Sequence, residues 1–418
     1  DRGNDMEEKK LSIQSSIVWN SVGSIFYLGC QWLITVLVVR LSGVDEAGVL
    51  SLAMSVCNIW YCLSVYGMRN FQISDTENKY QTGTYVASRW ITCGAAFVGC
   101  LLYTLAVSYD TGQKSAILLY FVFKCSESFY DVYAGIFQKK WRLDYAGKSM
   151  VLRGILSFVS FVAVLKITGN IVLTIACMAV VCMVSVFLYD MPVARKLESF
   201  RLDFEKCHMK ALLKECFPLV VYTLLSSAIG TIPRLIMERQ IGGYELGIYG
   251  SVATPTLIIQ MGATYVFNPF VTVFAERYYQ KAGKLFMKAF WSCVAAVVAI
   301  SAAGMIGGKL LGQWGLNLLY GQEVAAHEEL LLPLILCTIL TAFSWLLCGI
   351  LTAIREFRGL IVANLAAVAF SLVFSVIFEK SYGMQGASLA LGLATVIEII
   401  LLCIYMVRNT RSYFGTKK

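Results

Sequence analysis

Few ionisable residues interrupt the apolar runs of this 418-residue chain, and their spacing is informative. Lys124, Glu127, Ser128 and Asp131 stand at i, i+3, i+4 and i+7, which puts all four on one face of a helix. Charged groups set in apolar sequence must point at one another, at neighbouring helices or into water. Lys124 is expected to pair with Glu127 along the helix, leaving Asp131 to meet Arg153 on the next one. Two chemistries fit. One is an internal ion-pair network. The other is a site where Lys124 or Arg153 touches a polar cargo and Glu127 or Asp131 carries a coupling proton or sodium.

Further along, Arg234 follows Pro233 inside an apolar run, and Glu398 is isolated in the last one. Arg234 either faces a hydrated cavity or snorkels to the interface. Glu398 is a candidate coupling group. Arg40 and Arg239 close their runs, where snorkelling or capping is the stronger reading than cargo contact. Arg69, Gln72 and Asp75 recur every three residues beyond the second run, so Arg69 either receives an anion there or anchors the chain. Tyr222, Tyr249, Tyr265 and Trp345 could stack on a cargo, although aromatics in such runs mostly pack or mark interfaces.

The elements that must position these residues follow from composition. Hydrophobic residues make up 58% and charged residues 15%, with mean hydropathy +0.68. Soluble domains carry roughly 45–50% apolar and about 25% charged residues. Apolar segments of about 20 residues, each long enough to cross a bilayer, recur throughout. They number twelve, at roughly 13–40, 44–68, 86–108, 114–138, 148–166, 171–190, 214–238, 245–273, 285–308, 331–353, 359–379 and 384–407. No polar stretch is left for a soluble catalytic domain. The 14 cysteines are scattered and His208 and His327 are the only histidines, so neither a disulfide framework nor a metal or cofactor site is expected. Residues 1–5 read as an appended leader before a native start at Met6.

The net charge of +9 resides mostly in short loops, which signals topology and not nucleic-acid binding. Of the 35 Lys and Arg, 26 fall in the N-terminal segment and alternate connections. Six (Arg40, Lys114, Lys166, Arg239, Lys309, Lys380) fall in the other connections, and Lys124, Arg153 and Arg234 lie within spans. This asymmetry predicts a multi-pass protein of the cell's inner (plasma) membrane with both termini cytoplasmic. The longest outer connection is expected at 309–330.

The chain also repeats itself. Arg40, Gly43, Glu46 and Gly48 recur as Arg239, Gly242, Glu245 and Gly247, displaced by 199 residues. Gly135, Lys166, Gly169 and Ala176 recur as Gly349, Lys380, Gly383 and Ala390, displaced by 214. An even number of spans per repeat makes the duplication parallel, with bundles of six helices at 6–200 and 201–418. Transporters of this build bind substrate between repeats and expose it to alternate sides.

Several stretches carry a family resemblance. Residues 40–53, beginning Arg40-Leu-Ser-Gly, resemble the end of the first helix of polysaccharide-repeat flippases. Arg69-Asn-Phe-Gln-Ile-Ser-Asp75 resembles their second-helix exit. Ile232-Pro-Arg-Leu-Ile with Glu245-Leu-Gly-Ile-Tyr-Gly250 resembles the seventh-to-eighth passage, and Gly383-Met-Gln-Gly-Ala-Ser388 the start of the last helix. The chain resembles the polysaccharide transporter branch of the multidrug/oligosaccharidyl-lipid/polysaccharide (MOP) flippase superfamily along its whole length. The resemblance implies a monomeric flippase and not an enzyme. It would move a lipid-linked oligosaccharide, commonly on undecaprenyl pyrophosphate, through a cationic cavity by alternating access, beside glycosyltransferases and a polymerase. A pyrophosphate suits Arg, whose fork matches phosphate oxygens.

Three alternatives stand against it. A multidrug exporter of the superfamily is expected to carry acids in the first helix, and Leu11 to Val39 holds none. A polymerase or ligase is expected to have a large outer loop bearing Arg and His. An uncoupled scramblase leaves no mark in sequence.

Overall fold

Helix is the solution that lets an apolar segment satisfy its own backbone in lipid. The computed structural model describes residues 13–75 and 79–415, without the side chains of 13, 14, 17, 70, 74, 264–269, 271, 272 and 412–415. The leader at 1–5, Met6 and the side chain of Tyr265 therefore lie outside the described residues.

Twelve long helices are present among the described residues: α1 (Ile13–Ser42), α2 (Val44–Val65), α3 (Thr82–Ala106), α4 (Thr111–Lys139), α5 (Leu143–Thr168), α6 (Ile171–Ser185), α7 (Lys206–Gln240), α8 (Gly243–Tyr279), α9 (Gly283–Tyr320), α10 (Leu331–Ala353), α11 (Phe357–Tyr382) and α12 (Met384–Gly415). A π-helical turn, Val186–Asp190, carries α6 on into Met191–Leu197, and a short helix, Met68–Ser74, follows α2. Ten of the twelve are long and apolar enough to cross a membrane; α4 and α8 fall outside that set. For α4 the reason is its charged stripe.

The repeat is visible in the backbone. Gly43 and Gly242 both take positive φ (92° and 137°), as do Gly169 and Gly383 (64° and 59°). The non-glycine pair Trp141 and Arg355 also matches, at φ 58° in each, again 214 residues apart. Each sits in the same helix-ending pattern. The N–H of Arg142 bonds the Phe137 carbonyl, and that of Glu356 bonds the Leu351 carbonyl. Such left-handed closures satisfy the last carbonyls of a helix.

Two compact units form among the described residues: 13–34 with 60–75 and 79–217, and 35–59 with 218–415. In the first, α1 lies on α5 with backbones in contact; a Cβ on Gly23 would meet the Gly147 carbonyl. Phe121, Phe123, Phe137 and Phe161 fill its interior. In the second, Phe274, Phe286, Leu347, Ile350 and Leu402 form the core, drawn from α8, α9, α10 and α12. The 35–59 hairpin belongs to this unit. Its Gly48 faces the backbone of Gly243, and Gly247 faces that of Val44. Arg40 then donates to three carbonyls ending α9: Asn317 (2.8 Å), Leu318 (2.7 Å) and Leu319 (2.9 Å).

One expectation is corrected here. The connection expected at 309–330 is helical to Tyr320, because one lysine does not end a run that otherwise favours helix. The real break is Gly321, at φ 97°.

Candidate functional site

In the first unit the stripe on α4 is consumed by partners. Lys124 Nζ lies 2.6 Å from Glu127, which also accepts the Tyr27 hydroxyl of α1. The same ammonium stands 5.0 Å from the Tyr61 ring centroid. Asp131 does not meet Arg153. It pairs with Arg89 of α3 at 3.0 Å and more loosely with Arg69 at 3.6 Å. Arg153 instead donates to the carbonyl (3.1 Å) and hydroxyl (2.9 Å) of Ser126 and stands over the Tyr130 ring. The reason is angular: Ser126 is on the α4 face toward α5, whereas Asp131 looks toward α3 and the Met68–Ser74 helix.

Arg89 is the residue that sequence reasoning missed. It is fully buried, and its second contact is the Ser64 carbonyl at 2.8 Å. Its position near the start of α3, close to the charged connection before it, gives it the look of an anchoring cation. Asp190 was missed too. It is fully buried in the π-helical turn, and neither carboxylate oxygen has a hydrogen-bond partner among the described residues. Glu379 of α11 is in the same condition.

Near the C-terminal end of α4, Arg69 also reaches Gln138 at 2.9 Å. Asp75 accepts the N–H groups of Lys79 (2.8 Å) and Tyr80 (3.0 Å) and the Tyr85 hydroxyl (3.2 Å). Partial burial raises its pKa, but these donors outweigh that and hold the carboxyl below its ordinary value. Asp203, Glu205 and His208 draw together within 4.8 Å on the exposed linker. There Asp203 already accepts from the Thr84 hydroxyl and the Glu205 amide.

The second unit is different. It encloses a cavity of about 320 Å³ bounded by α2, α7, α8, α10 and α12. Arg234 and Tyr249 line it toward the α7–α8 connection, and Gln260, Trp345 and Glu398 line it farther from that connection. Between them hydroxyls dominate: Ser226, Thr256, Thr338, Thr341 and Thr395. Thr256 and Thr338 bond each other across the wall at 2.8 Å. Asn58 of α2 adds an amide. Such small polar residues give neither charge nor strong periodicity, so the sequence does not reveal the wall they build.

Neither Arg234 nor Glu398 forms an ion pair among the described residues; the weak thiol donor of Cys348 stands 3.8 Å from the Glu398 carboxylate, with the Ser344 hydroxyl beside it. Both therefore face the cavity as charges without a balancing partner, a cost that proteins accept where an ionic ligand visits. Arg40 lies outside this cavity, in the α9 contact, and Arg239 is exposed at the end of α7. Tyr222 packs against the apolar core.

Comparison with known proteins agrees with this architecture. The model of the family described as "Polysaccharide biosynthesis protein" matches residues 13–275. A Staphylococcus aureus relative, the capsular polysaccharide biosynthesis protein CapF, is 24% identical over 91% of this chain and 95% of its own. Among solved structures, the lipid II flippase MurJ in an inward closed conformation superposes with TM-score 0.74 at 12% identity, covering 95% of this chain and 90% of that one. An inward-facing multidrug resistance MATE transporter of the MOP superfamily superposes at 0.63 and 14% identity, over 98% and 97%. The resemblance read from the sequence and the helical fold thus meet in one assignment: this membrane protein belongs to the polysaccharide biosynthesis protein family, on the MOP transporter fold.

Proposed function

We propose that the chain flips a lipid-linked oligosaccharide from the cytoplasmic to the outer leaflet of the plasma membrane, with undecaprenyl pyrophosphate as the carrier. The family match and the flippase and transporter folds of its neighbours support the class. The observation that carries the finer reading is Arg234, an unpaired guanidinium on the wall of a hydroxyl-lined cavity. A sugar head suits a wall of Ser, Thr and Asn, a pyrophosphate suits an arginine fork, and the polyprenyl tail stays in lipid.

The Arg40 and Gly48 contacts hold the outer ends of α1 and α2 against α8 and α9, and in this reading their release opens the outer side of the cavity. An interior-negative potential favours outward movement of an anionic head by roughly 2.3 kcal/mol per charge per 100 mV. Glu398 is the group placed to add a proton or sodium. The protein acts as a monomer beside the glycosyltransferases and polymerase that make and use its cargo.

The test is export in cells lacking the native gene. Arg234→Ala is expected to abolish surface glycan, with lipid-linked oligosaccharide accumulating in the inner leaflet and the protein still in the membrane. Normal surface glycan with that variant refutes the role of Arg234.

A further inference from the structure

The first three turns of α7, before Pro218, belong to the first unit and build a groove there of about 560 Å³. Lys206, Lys210 and Lys214 stand four residues apart, so they share a helix face with Leu213 and Phe217. All three lysines are exposed, and none forms an ion pair among the described residues. The groove's described lining contains no acid. Its opposite wall is Tyr66, at the end of α2, and Ile91 of α3. Ile91 and Phe217 are 40% and 56% exposed, beside the equally exposed Trp90, as expected of surfaces that face acyl chains.

We propose that this groove binds one anionic glycerophospholipid of the inner leaflet. Its phosphate sits on the three lysines, and one acyl chain runs over Ile91 and Phe217. A soluble anion would have no use for the apolar wall, and a neutral lipid none for the cations. Clusters of lysine at the inner interface attract anionic headgroups. A hydrophobic slot beside them turns that attraction into a site with defined stoichiometry. The occupant would brace α7 against α3 immediately before the proline, where a missing N–H weakens the helix. This reading is independent of what the cavity of the second unit carries.

The experiment uses the full chain in detergent, with phosphatidylglycerol or phosphatidylcholine added and retained lipid counted by native mass spectrometry. Wild type is expected to keep one phosphatidylglycerol in about 0.5 M sodium chloride, where the Debye length is about 4 Å. It should release phosphatidylcholine. The triple variant Lys206→Gln/Lys210→Gln/Lys214→Gln is expected to weaken retention roughly tenfold or more. Phe217→Ser should weaken it by less, and Lys284→Gln/Lys288→Gln should leave it unchanged. Lipid-free unfolding midpoints equal to wild type confirm that the variants fold. Three outcomes overturn the proposal: salt stripping the lipid from wild type, equal retention by the triple variant, or equal loss in the Lys284/Lys288 control. Displacement of the phospholipid by a polyprenyl pyrophosphate at matching stoichiometry would also overturn it, reassigning the groove to cargo.

Discussion

The α4 stripe of the first unit and the cavity of the second both place charge at membrane depth, and they treat it oppositely. Around α4, Lys124 has Glu127, Glu127 has Tyr27 as well, Asp131 has two arginines, and Arg153 has both oxygens of Ser126. Around the cavity, Arg234 and Glu398 line the same space without pairing. Both units are built of the same kind of long helices, so this contrast lies in the side chains they carry. Charges tied to one another hold helices in place, whereas charges left facing a cavity are available to something that comes and goes.

That contrast breaks first, if it breaks, at Asp131. Asp131→Asn leaves Arg89 buried with its charge uncompensated, a loss of about 3–5 kcal/mol for a buried pair. The unfolding midpoint in detergent should fall further than with any other substitution considered, and membrane levels should drop. Restoring the midpoint by the double change Arg89→Met/Asp131→Leu would show that the pair itself is dispensable. An unchanged midpoint in Asp131→Asn alone would show that the network is not structural.

Lys124 is the sharper case, because its charge, unlike that of Arg89, is not fully sealed from solvent. Lys124→Met strands Glu127 with only the Tyr27 hydroxyl and should cost about 2–3 kcal/mol. Export should fall only in proportion to protein level. Loss of export at an unchanged midpoint would move Lys124 from the structural to the cargo-handling class.

How far these roles can be read in sequence depends on the range of each interaction. The Lys124–Glu127 pair is local, set by helical spacing, and was legible. The partner of Asp131 was not, because it depends on how α3 rotates against α4. Arg89, seven residues into α3, looked like one more inner-face anchor. Gly43 and Gly242 announced the repeat because glycine is favoured at positive φ, but Trp141 and Arg355 adopt the same geometry with no such mark. The cavity was least legible of all. Arg234 and Glu398 stood out as charges and Tyr249 and Trp345 as aromatics, but the hydroxyls between them are ordinary residues until five helices bring them together.

A smaller effect tests the hairpin in the second unit. Gly48→Ala pushes a methyl into the Gly243 backbone, an overpacking cost of about 1–3 kcal/mol. The midpoint should fall modestly. Export should fall more than the midpoint accounts for if, as proposed, release of the same contact opens the cavity. A proportional fall would make Gly48 a packing residue only.

The least destabilising change should be Glu398→Gln, which removes a buried charge and keeps its shape. The midpoint should stay within about 0.5 kcal/mol or rise, because no ion pair is broken and a desolvated carboxylate is relieved. Transport should register the change instead. In proteoliposomes with the potential clamped, wild-type flipping should respond to an imposed proton or sodium gradient. Glu398→Gln should lose that response while keeping flux driven by the potential alone. If the variant still follows the ion gradient, coupling belongs to another carboxylate, and the buried Glu379 and Asp190 are next to be tested. If wild type itself ignores the gradient, potential acting on the cargo's own charge is sufficient. The cavity's asymmetry would then reduce to one functional cation, Arg234, with Glu398 tuning only the polarity of the wall.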